Sequence, residues 1–588
     1  MPGYLSITQP GKQPLRSALA WGPGLALLAW FLVTRWLAIF SEAINWDEFA
    51  LLARADSTLR LGDVQGGGRP GLVTVLLIPF VDGCVDAVRS VTNARVLWLV
   101  LTLAYLGGVY AMVRNWFRRA SAPGSADAAA MVAVALLAFL PAFVTWSVQV
   151  RTDQAALAAA AWGGALLMAG RARFATVAGA MFAIAVLCTQ KGLYVIGLSG
   201  LLFVTATASR SLWAAEHRRA VLLDAAGRIA MAAAAAAGVI ALYVTLVPRA
   251  AHLVSPDTLA SSFEGMNWVR QRLGFRAYWV HAPRLWAHWM LFAALILWTV
   301  RALTVRARPD GVLILTSWSV LALGLAVALV HGSTFPYFLM TLGLFPAVAL
   351  GLVAGRLADR AGKHGSMILS GLVVLLVLQS LPETLEMLRG TQANQRHTIS
   401  QINQSDLRNL RGYQVEGALF CAADPDPMPV MFTQQIKRRA LRGPHAFDPF
   451  IQEFRRRPVA YIVESYRMDQ FPPVVRKFWA QHYVPQSGAL LVPGFRIDAR
   501  AGRQQVEVLV AGRYRWLPNA SDPAAPLTVG AATVPADSLV RLGAGLHTVE
   551  AAAPNTTGTL VLDVIGVGSG EIFPFYDPRQ LARLRGQR

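Results

Sequence analysis

The chain has 588 residues, of which 55% are hydrophobic and only 15% are charged, and its mean hydropathy is +0.44. A water-soluble protein of average composition carries about 25% charged residues, so this composition excludes a wholly soluble protein. The formal net charge of +21 does not indicate nucleic-acid binding, because the basic residues lie between apolar segments and form no nucleic-acid module.

Long apolar segments recur along the first two thirds of the chain. We predict about eleven membrane-spanning helices, because each segment has the length that roughly 30 Å of hydrocarbon requires. The segments are residues 18–40, 94–113, 126–146, 154–170, 173–190, 192–208, 227–248, 285–303, 311–330, 337–355 and 366–381. The first lacks a small-residue cleavage site and is predicted to be an uncleaved span. The fold class expected is an α-helical polytopic membrane bundle.

The connections between the spans alternate in charge. Short cytoplasmic loops are enriched in Lys and Arg, and basic residues cluster at the N-terminus and in every second connection. The opposite short connections contain Arg151, Lys191 and His331 as their only basic groups. We therefore predict a multi-pass protein of the bacterial inner membrane with a cytoplasmic N-terminus, and the isolated charges on the exported side become candidate site residues.

The chain changes character after the last span. Residues 1–389 are expected to form the membrane domain, and an odd number of spans places the remainder outside the cytoplasm. In residues 390–495 a short strand (458–464) and a helix-like stretch (473–482) predict a soluble α/β domain. In residues 496–588 the segments 505–511, 526–529, 545–551 and 558–566 read as short strands between turns, which predicts a β-sandwich.

Two adjacent carboxylates, Asp47 and Glu48, follow the first span directly. Taken alone they are typical of a solvated loop. The same predicted exported side, however, also contains Arg69, Arg151 with Asp153, Lys191 and His331. A carboxylate pair among several cations at the lipid boundary is suited to binding a lipid phosphate and deprotonating an acceptor.

Six short motifs in chain order resemble those of the GT-C fold glycosyltransferases, in the branch of the protein O-mannosyltransferases and the aminoarabinose transferase of lipid A. The resemblance covers roughly residues 18 to 360. The motifs are Trp46-Asp47-Glu48, Arg69-Pro70-Gly71-Leu72, Asn93-Ala94-Arg95, Arg151-Thr152-Asp153, Leu187-Cys188-Thr189-Gln190-Lys191-Gly192, and Phe335-Pro336-Tyr337 through Leu344-Phe345-Pro346-Ala347. The chain departs from the family pattern at Arg69, Gly71 and Gln190, where the family has Lys, Pro and no intervening residue.

The resemblance implies an inverting glycosyltransferase on the exported face. The donor would be a sugar linked to a polyprenyl phosphate, and the acceptor an unidentified glycan, lipid or protein. Asp47 would be the general base, with Asp153 and Glu48 as further catalytic carboxylates. The donor phosphate would be bound by basic residues and one tyrosine: Arg69, Lys191, Arg151, His331 and Tyr337.

Two other classes of function are compatible with the sequence. One is a transporter or flippase for a lipid-linked sugar, although no internal repeat is visible. The other is an inert membrane scaffold for the C-terminal domain, which would have no need of an acid pair and isolated cations on one face. No cofactor is identified: the three cysteines are scattered, no His or Cys ligand set lies near Glu48, and a divalent cation is therefore not assigned.

Overall fold

The computed structural model describes most of the chain, with gaps. The described residues are 14–61, 72–81, 86–120, 122, 125–213, 217–246, 285–305, 310–330, 336–414, 436, 439–466, 468–519, 523–552, 556–564, 567, 571 and 572. The predicted site residues Arg69 and His331 lie outside them.

The described part of residues 14–388 is almost entirely helical. Its helices are α1 (Pro14–Ser41), α2 (Trp46–Leu61), α3 (Leu72–Leu77), α4 (Ala87–Ala120), α5 (Ala126–Ala138), α6 (Pro141–Trp146), α7 (Thr152–Met168), α8 (Ala172–Cys188), α9 (Gly192–Trp213), α10 (Arg218–Leu246), α11 (Trp286–Val305), α12 (Gly311–Val330), α13 (Leu339–Leu342), α14 (Leu344–Ala361) and α15 (Gly365–Leu388). The predicted polytopic helical bundle is confirmed.

Every predicted span overlaps one or two of these helices. Within the described residues, eight helices are long and apolar enough to cross a membrane. The remaining three predicted spans coincide with shorter helices, namely α5 with α6, α7, and α8. The number of eleven spans therefore stays a prediction.

The predicted span 126–146 is divided in two by a proline. Pro141 restricts the residue before it to extended backbone, and Leu140 has φ −63° and ψ 129°. Helix α5 ends at Ala138 and α6 begins at Pro141. The break is followed by the short helix α6 and then by the connection that contains Gln149 and Arg151 and leads into α7.

Close packing of α5 against α14 depends on two glycines. A Cβ placed on Gly351 would lie 2.6 Å from the Cβ of Ala133, and one on Gly355 would lie 2.6 Å from the Cβ of Ala129. Carbon atoms in contact lie about 3.5–4.0 Å apart, so only glycine allows this approach. The contact fixes the inner layer of the bundle, in which residues 344–355 of α14 are almost all buried.

Helix α2 is an element that the sequence analysis did not predict. It begins directly after Asn45, whose side-chain oxygen accepts a hydrogen bond from Asp47 N at 3.0 Å. Glu48 Oε2 in turn accepts one from Asn45 N at 2.8 Å. This reciprocal arrangement is a capping box. It places Asp47 and Glu48 in the first turn of a helix instead of in a solvated loop.

The described residues of the C-terminal region form helices α16 (Ala393–Gln404), α17 (Asp448–Arg456) and α18 (Pro473–His482) and eleven strands. The strands are β1 (Gly412–Gln414), β2 (Tyr461–Val463), β3 (Tyr483–Ser487), β4 (Leu490–Asp498), β5 (Gln504–Val508), β6 (Gly512–Pro518), β7 (Leu527–Val529), β8 (Ala532–Val534), β9 (Leu539–Leu542), β10 (Gly545–Ala551) and β11 (Thr557–Leu562). Helix α18 has the bounds predicted from the sequence.

The strands form two sheets. One has the order β1-β2-β4-β11-β6-β9 with β3 also paired to β4, and the other has the order β5-β10-β7-β8. Strands β1 and β2 are parallel, and α17 and α18 cover this end with an aromatic core that includes Phe450, Phe454 and Trp479. Side chains from both sheets, among them Val549 and Trp516, share one apolar core. The predicted α/β and β-sandwich architectures are confirmed.

The two parts of the C-terminal region share a sheet. Strand β4 crosses the predicted boundary at residue 495 and pairs with β2 and β3 as well as with β11. The division into domains 390–495 and 496–588 stays a prediction, and the main sheet is continuous across it.

Candidate active site

The acidic motif after α1 is held by a buried ion pair. Arg95 of α4 donates to both oxygens of Glu48, from Nε at 2.9 Å and from an Nη at 2.6 Å, and neither side chain is exposed. Glu48 also accepts hydrogen bonds from the backbone N–H groups of Asn45 and Val150, each at 2.8 Å. Four donors on one enclosed carboxylate tie the start of α2 to α4 and to the connection before α7.

Asp47, the neighbour of Glu48, points the other way. Its side chain is 27% exposed, and its Oδ2 accepts a hydrogen bond from an Nη of Arg151 at 3.0 Å. No described residue donates to Oδ1 of Asp47. The adjacent acids therefore occupy different environments, because successive side chains on a helix point about 100° apart.

The Arg151 side chain is held by contacts with three residues besides Asp47. Its guanidinium lies 4.1 Å from the ring centroid of Tyr337 and 4.8 Å from that of Trp146. Its Nε and second Nη donate to Oε1 of Gln149 at 3.3 and 3.1 Å. Since Gln149 binds one edge of the planar fork, the remaining Nη is directed at Asp47. Arg151 is only 5% exposed.

A second ion pair also lies beside Tyr337. Lys191 Nζ, in the turn between α8 and α9, donates to Oδ2 of Asp153 in the first turn of α7 at 2.8 Å. The same Nζ lies 4.4 Å from the ring centroid of Tyr337. Asp153 is 2% exposed, and its Oδ1 is buried without a hydrogen-bond partner among the described residues.

Tyr337 thus joins the two pairs. It belongs to a 3-10 turn, Pro336–Phe338, before α13, and both cations contact its ring through cation–π interactions. Five of the predicted site residues meet here: Asp47, Arg151, Asp153, Lys191 and Tyr337. Glu48 lies beside this cluster but is turned into the support around Arg95.

The sequence analysis missed three residues that hold the cluster together. Gln149 Nε2 donates to Oε1 of Glu42 at 3.2 Å, so a chain of contacts runs from Glu42 through Gln149 and Arg151 to Asp47. Trp146 flanks the guanidinium, as described above. Glu42 and Gln149 are 1% and 3% exposed. The position of an acid next to the end of a span could have identified Glu42 from the sequence. The amide Gln149 and the aromatic Trp146 lie in an apolar run and give no such signal.

The site has no obvious metal-binding constellation in the part of the chain that is described. No group of three or more His, Cys, Asp or Glu side chains that could hold a metal ion occurs there. Each of the two acids in the cluster instead faces a cation. The arrangement provides a partly exposed carboxylate that can accept a proton and two cations beside one aromatic ring that can attract an anion.

Comparison with known proteins identifies the fold. No protein-family model and no curated protein matches the sequence. Among solved structures, the crystal structure of ArnT from Cupriavidus metallidurans bound to undecaprenyl phosphate is similar, with a TM-score of 0.52 and 14% identity over 81% of this chain and 98% of that one. The apo structure of the same ArnT gives a TM-score of 0.50 with the same identity and coverage. The chain has the GT-C fold.

A third similar structure is the cryo-EM structure of arabinosyltransferase EmbB from Mycobacterium smegmatis, with a TM-score of 0.33 and 12% identity over 96% of this chain and 66% of that one. The GT-C assignment rests on the two ArnT structures, and the fold expected from the six motifs is confirmed. In this GT-C bundle, the site is assembled at the ends of α1, α6, α8 and the turn before α13, next to the start of α2 and α7.

Proposed function

We propose that the protein is an inverting glycosyltransferase. It moves a sugar from a polyprenyl-phosphate-linked donor to an acceptor on the exported face of a bacterial inner membrane. The observation that carries the proposal is the cluster in which partly exposed Asp47 is oriented by Arg151, and in which Lys191 lies beside the same Tyr337 ring that Arg151 contacts. The GT-C fold shared with ArnT, which was crystallised with undecaprenyl phosphate, supports the same donor class.

The donor phosphate is assigned to the two cations beside Tyr337. An ammonium group donates up to three hydrogen bonds, so Lys191 can hold Asp153 and a phosphate oxygen at once. Arg151 contributes positive charge beside the same ring. Both cations lie in a largely desolvated setting, with side chains 15% and 6% exposed, where electrostatic attraction to an anion is stronger than in water. Arg69 and His331 are proposed as further phosphate contacts from the family resemblance alone.

Asp47 is assigned as the general base. An acceptor hydroxyl attacks the anomeric carbon of the donor sugar while its proton moves to Asp47. The bond between the anomeric carbon and the phosphate oxygen breaks, and the polyprenyl phosphate leaves with the electron pair. A single displacement inverts the anomeric configuration. Lys191 and Arg151 stabilise the charge that grows on the departing phosphate.

The role of Glu48 follows from its contacts. A carboxylate that accepts four hydrogen bonds and is not exposed has little capacity to meet a substrate. We therefore assign Glu48 as a positioning residue that fixes the first turn of α2. Asp153, whose buried Oδ1 has no described partner, is assigned to hold Lys191 and is the alternative base.

The experiment that tests the proposal uses purified protein and a panel of polyprenyl-phosphate sugars with candidate acceptors. We expect release of polyprenyl phosphate with at least one donor, and a product whose anomeric configuration, measured by NMR, is opposite to that of the donor. Retention of configuration would contradict the single displacement. A lipid-linked sugar that crosses proteoliposome membranes without release of polyprenyl phosphate would instead indicate a flippase.

A further inference from the structure

Helix α16 is the first element of the C-terminal region. It forms hydrogen bonds with the backbone of the connection between α1 and α2, residues 42–45, which we call the acidic loop. Gln395 Nε2 donates to the carbonyl oxygen of Ile44 at 2.9 Å, and its Oε1 accepts a hydrogen bond from the N–H of the same residue at 2.8 Å. Gln395 has no exposed surface. One amide therefore satisfies both backbone polar groups of Ile44, as a neighbouring strand would.

Ile44 lies just before the site in the chain. Ile44 is followed by Asn45, which caps α2, and Asp47 lies in the first turn of that helix. Three peptide units separate Ile44 from Asp47, and the capping box holds them rigid. A backbone displacement at Ile44 is therefore transmitted to Asp47. The position of Ile44 therefore sets the position of the Asp47 carboxylate.

A second glutamine secures the end of α1. Gln392 Nε2 donates to the carbonyl oxygens of Ile39 and Glu42 at 3.0 and 2.9 Å. Arg95 donates to the same two carbonyls from the other side, at 3.3 and 2.7 Å. The last carbonyls of a helix have no partner within the helix, and here a residue of the membrane bundle and one of the C-terminal region satisfy them together.

The opposite part of α16 binds the main sheet. Gln401 Nε2 donates to the hydroxyl of Ser487 at 2.6 Å, and the N–H of Ala489 donates to Thr398 Oγ1 at 3.4 Å. Ser487 and Ala489 lie at the β3–β4 turn and are buried. One short helix therefore holds the acidic loop with its first residues and the C-terminal sheet with its later ones.

We infer that Gln392 and Gln395 are positioning residues for Asp47, and that through α16 the C-terminal domain sets the geometry of the active site. The inference rests on the proposed function for its kinetic consequence but not for its structural one. The C-terminal domain would then contribute to the active site itself, beyond any binding of an acceptor. A displacement of the sheet relative to the bundle would move the proposed base.

The test replaces the amide by a side chain of similar length. In Gln395→Met both hydrogen bonds to Ile44 are lost, while Gln404→Met makes the same change at the exposed end of α16. Hydrogen–deuterium exchange of the full-length protein is measured on peptides that contain residues 42–49. We expect faster exchange at the Ile44 amide in Gln395→Met and no change in Gln404→Met.

The kinetic arm separates positioning from general damage. Because the proposed phosphate contacts lie in the connection before α7 and in the α8–α9 turn, Gln395→Met should leave the Kd for undecaprenyl phosphate, used as the probe, within about 2-fold, while kcat falls about 10-fold through misplacement of Asp47. A merely structural defect would instead lower the number of binding sites and the rate in proportion. Unchanged exchange and unchanged kcat in Gln395→Met would overturn the inference.

Two further variants keep the test decisive if Gln395→Met does not fold. Gln392→Met removes the cap on α1, and Gln401→Met releases the sheet end of α16 without touching the loop. The coupling predicts faster exchange of residues 42–49 in both. If exchange changes only in Gln392→Met, the loop is held but not coupled to the sheet, and the inference fails. If the wild-type protein has no transferase activity, the proposed function is wrong. The exchange results would still decide whether α16 couples the C-terminal sheet to the acidic loop.

Discussion

Asp47 and Arg151 are separated by 104 positions in the chain, yet their side chains meet at 3.0 Å. The contact forms because α2 and the connection before α7 are both fastened to Glu48, which accepts hydrogen bonds from Arg95 and from the N–H of Val150. The adjacent acids Asp47 and Glu48 thus have different roles. Glu48 brings the two segments together, and Asp47 stays partly exposed, as the proposed base must be.

The sharpest prediction for catalysis concerns Asp47→Asn. The amide keeps the shape of the carboxylate and can still accept the hydrogen bond from Arg151, but it cannot take the acceptor's proton. We expect transfer to fall on the order of 100- to 10,000-fold, with little change in undecaprenyl phosphate binding. The matched control is Asp127→Asn at the start of α5, an acid whose partners, Arg114 and Tyr110, are not part of the cluster. Near-normal turnover in Asp47→Asn would make Asp153 the candidate base.

Glu48→Gln should behave in the opposite way. Replacing one partner of a buried ion pair leaves the Arg95 guanidinium with an uncompensated charge, which typically costs about 3–5 kcal/mol. We expect a marked fall in the melting temperature of the detergent-solubilised protein, measured by intrinsic fluorescence. Asp47→Asn should lower the melting temperature much less, because Asp47 is 27% exposed and the amide that replaces it can still accept the hydrogen bond from Arg151. Equal effects of the two substitutions on stability would contradict the division of roles.

Part of this site was readable from the sequence. Charged residues on a face with few charges identified Asp47, Arg151, Asp153 and Lys191, because ionisable groups next to spans need a reason to be there. The capping box of α2 was also readable, since Asn45 and Glu48 have the required spacing. The sequence analysis does not predict α2, because a short segment with two adjacent acids after an apolar span is also typical of a loop.

The remainder depended on tertiary contacts that local patterns do not encode. Gln149 is an uncharged residue in an apolar run, and Gln392 and Gln395 are uncharged residues in a polar one. Only the fold brings their amides to the backbone and to Arg151. The break at Pro141 was visible as a residue, but an apolar run on both sides made 126–146 look like one span. Hydrophobic periodicity predicts that an element exists, whereas single residues determine where it ends.

The predicted topology is tested by reporter fusions. The N-terminus and the α9–α10 connection are expected in the cytoplasm, and the C-terminal domain outside it, because basic residues alternate between connections. Alkaline phosphatase fused after residue 588 should be active, and the same reporter fused after residue 215 should be inactive. The reverse pattern in correctly inserted fusions would place the proposed site on the cytoplasmic side.

The last prediction separates donor binding from stability at Lys191. In Lys191→Met, Asp153 loses its partner while its side chain remains almost fully buried, so both stability and affinity for undecaprenyl phosphate should fall. Adding Asp153→Asn removes the unpaired charge, and the double variant should regain most of the melting temperature, because replacing both partners of a buried pair costs much less than removing one. Donor affinity should not return, since the cation beside Tyr337 is still missing. Lys191→Arg is the charge-preserving control and should retain measurable binding, although an Arg fork does not reproduce the geometry of an ammonium group. Recovery of undecaprenyl phosphate binding in the double variant would show that Lys191 acts only as the partner of Asp153, and the phosphate would then have to be bound by Arg151 and by groups outside this cluster.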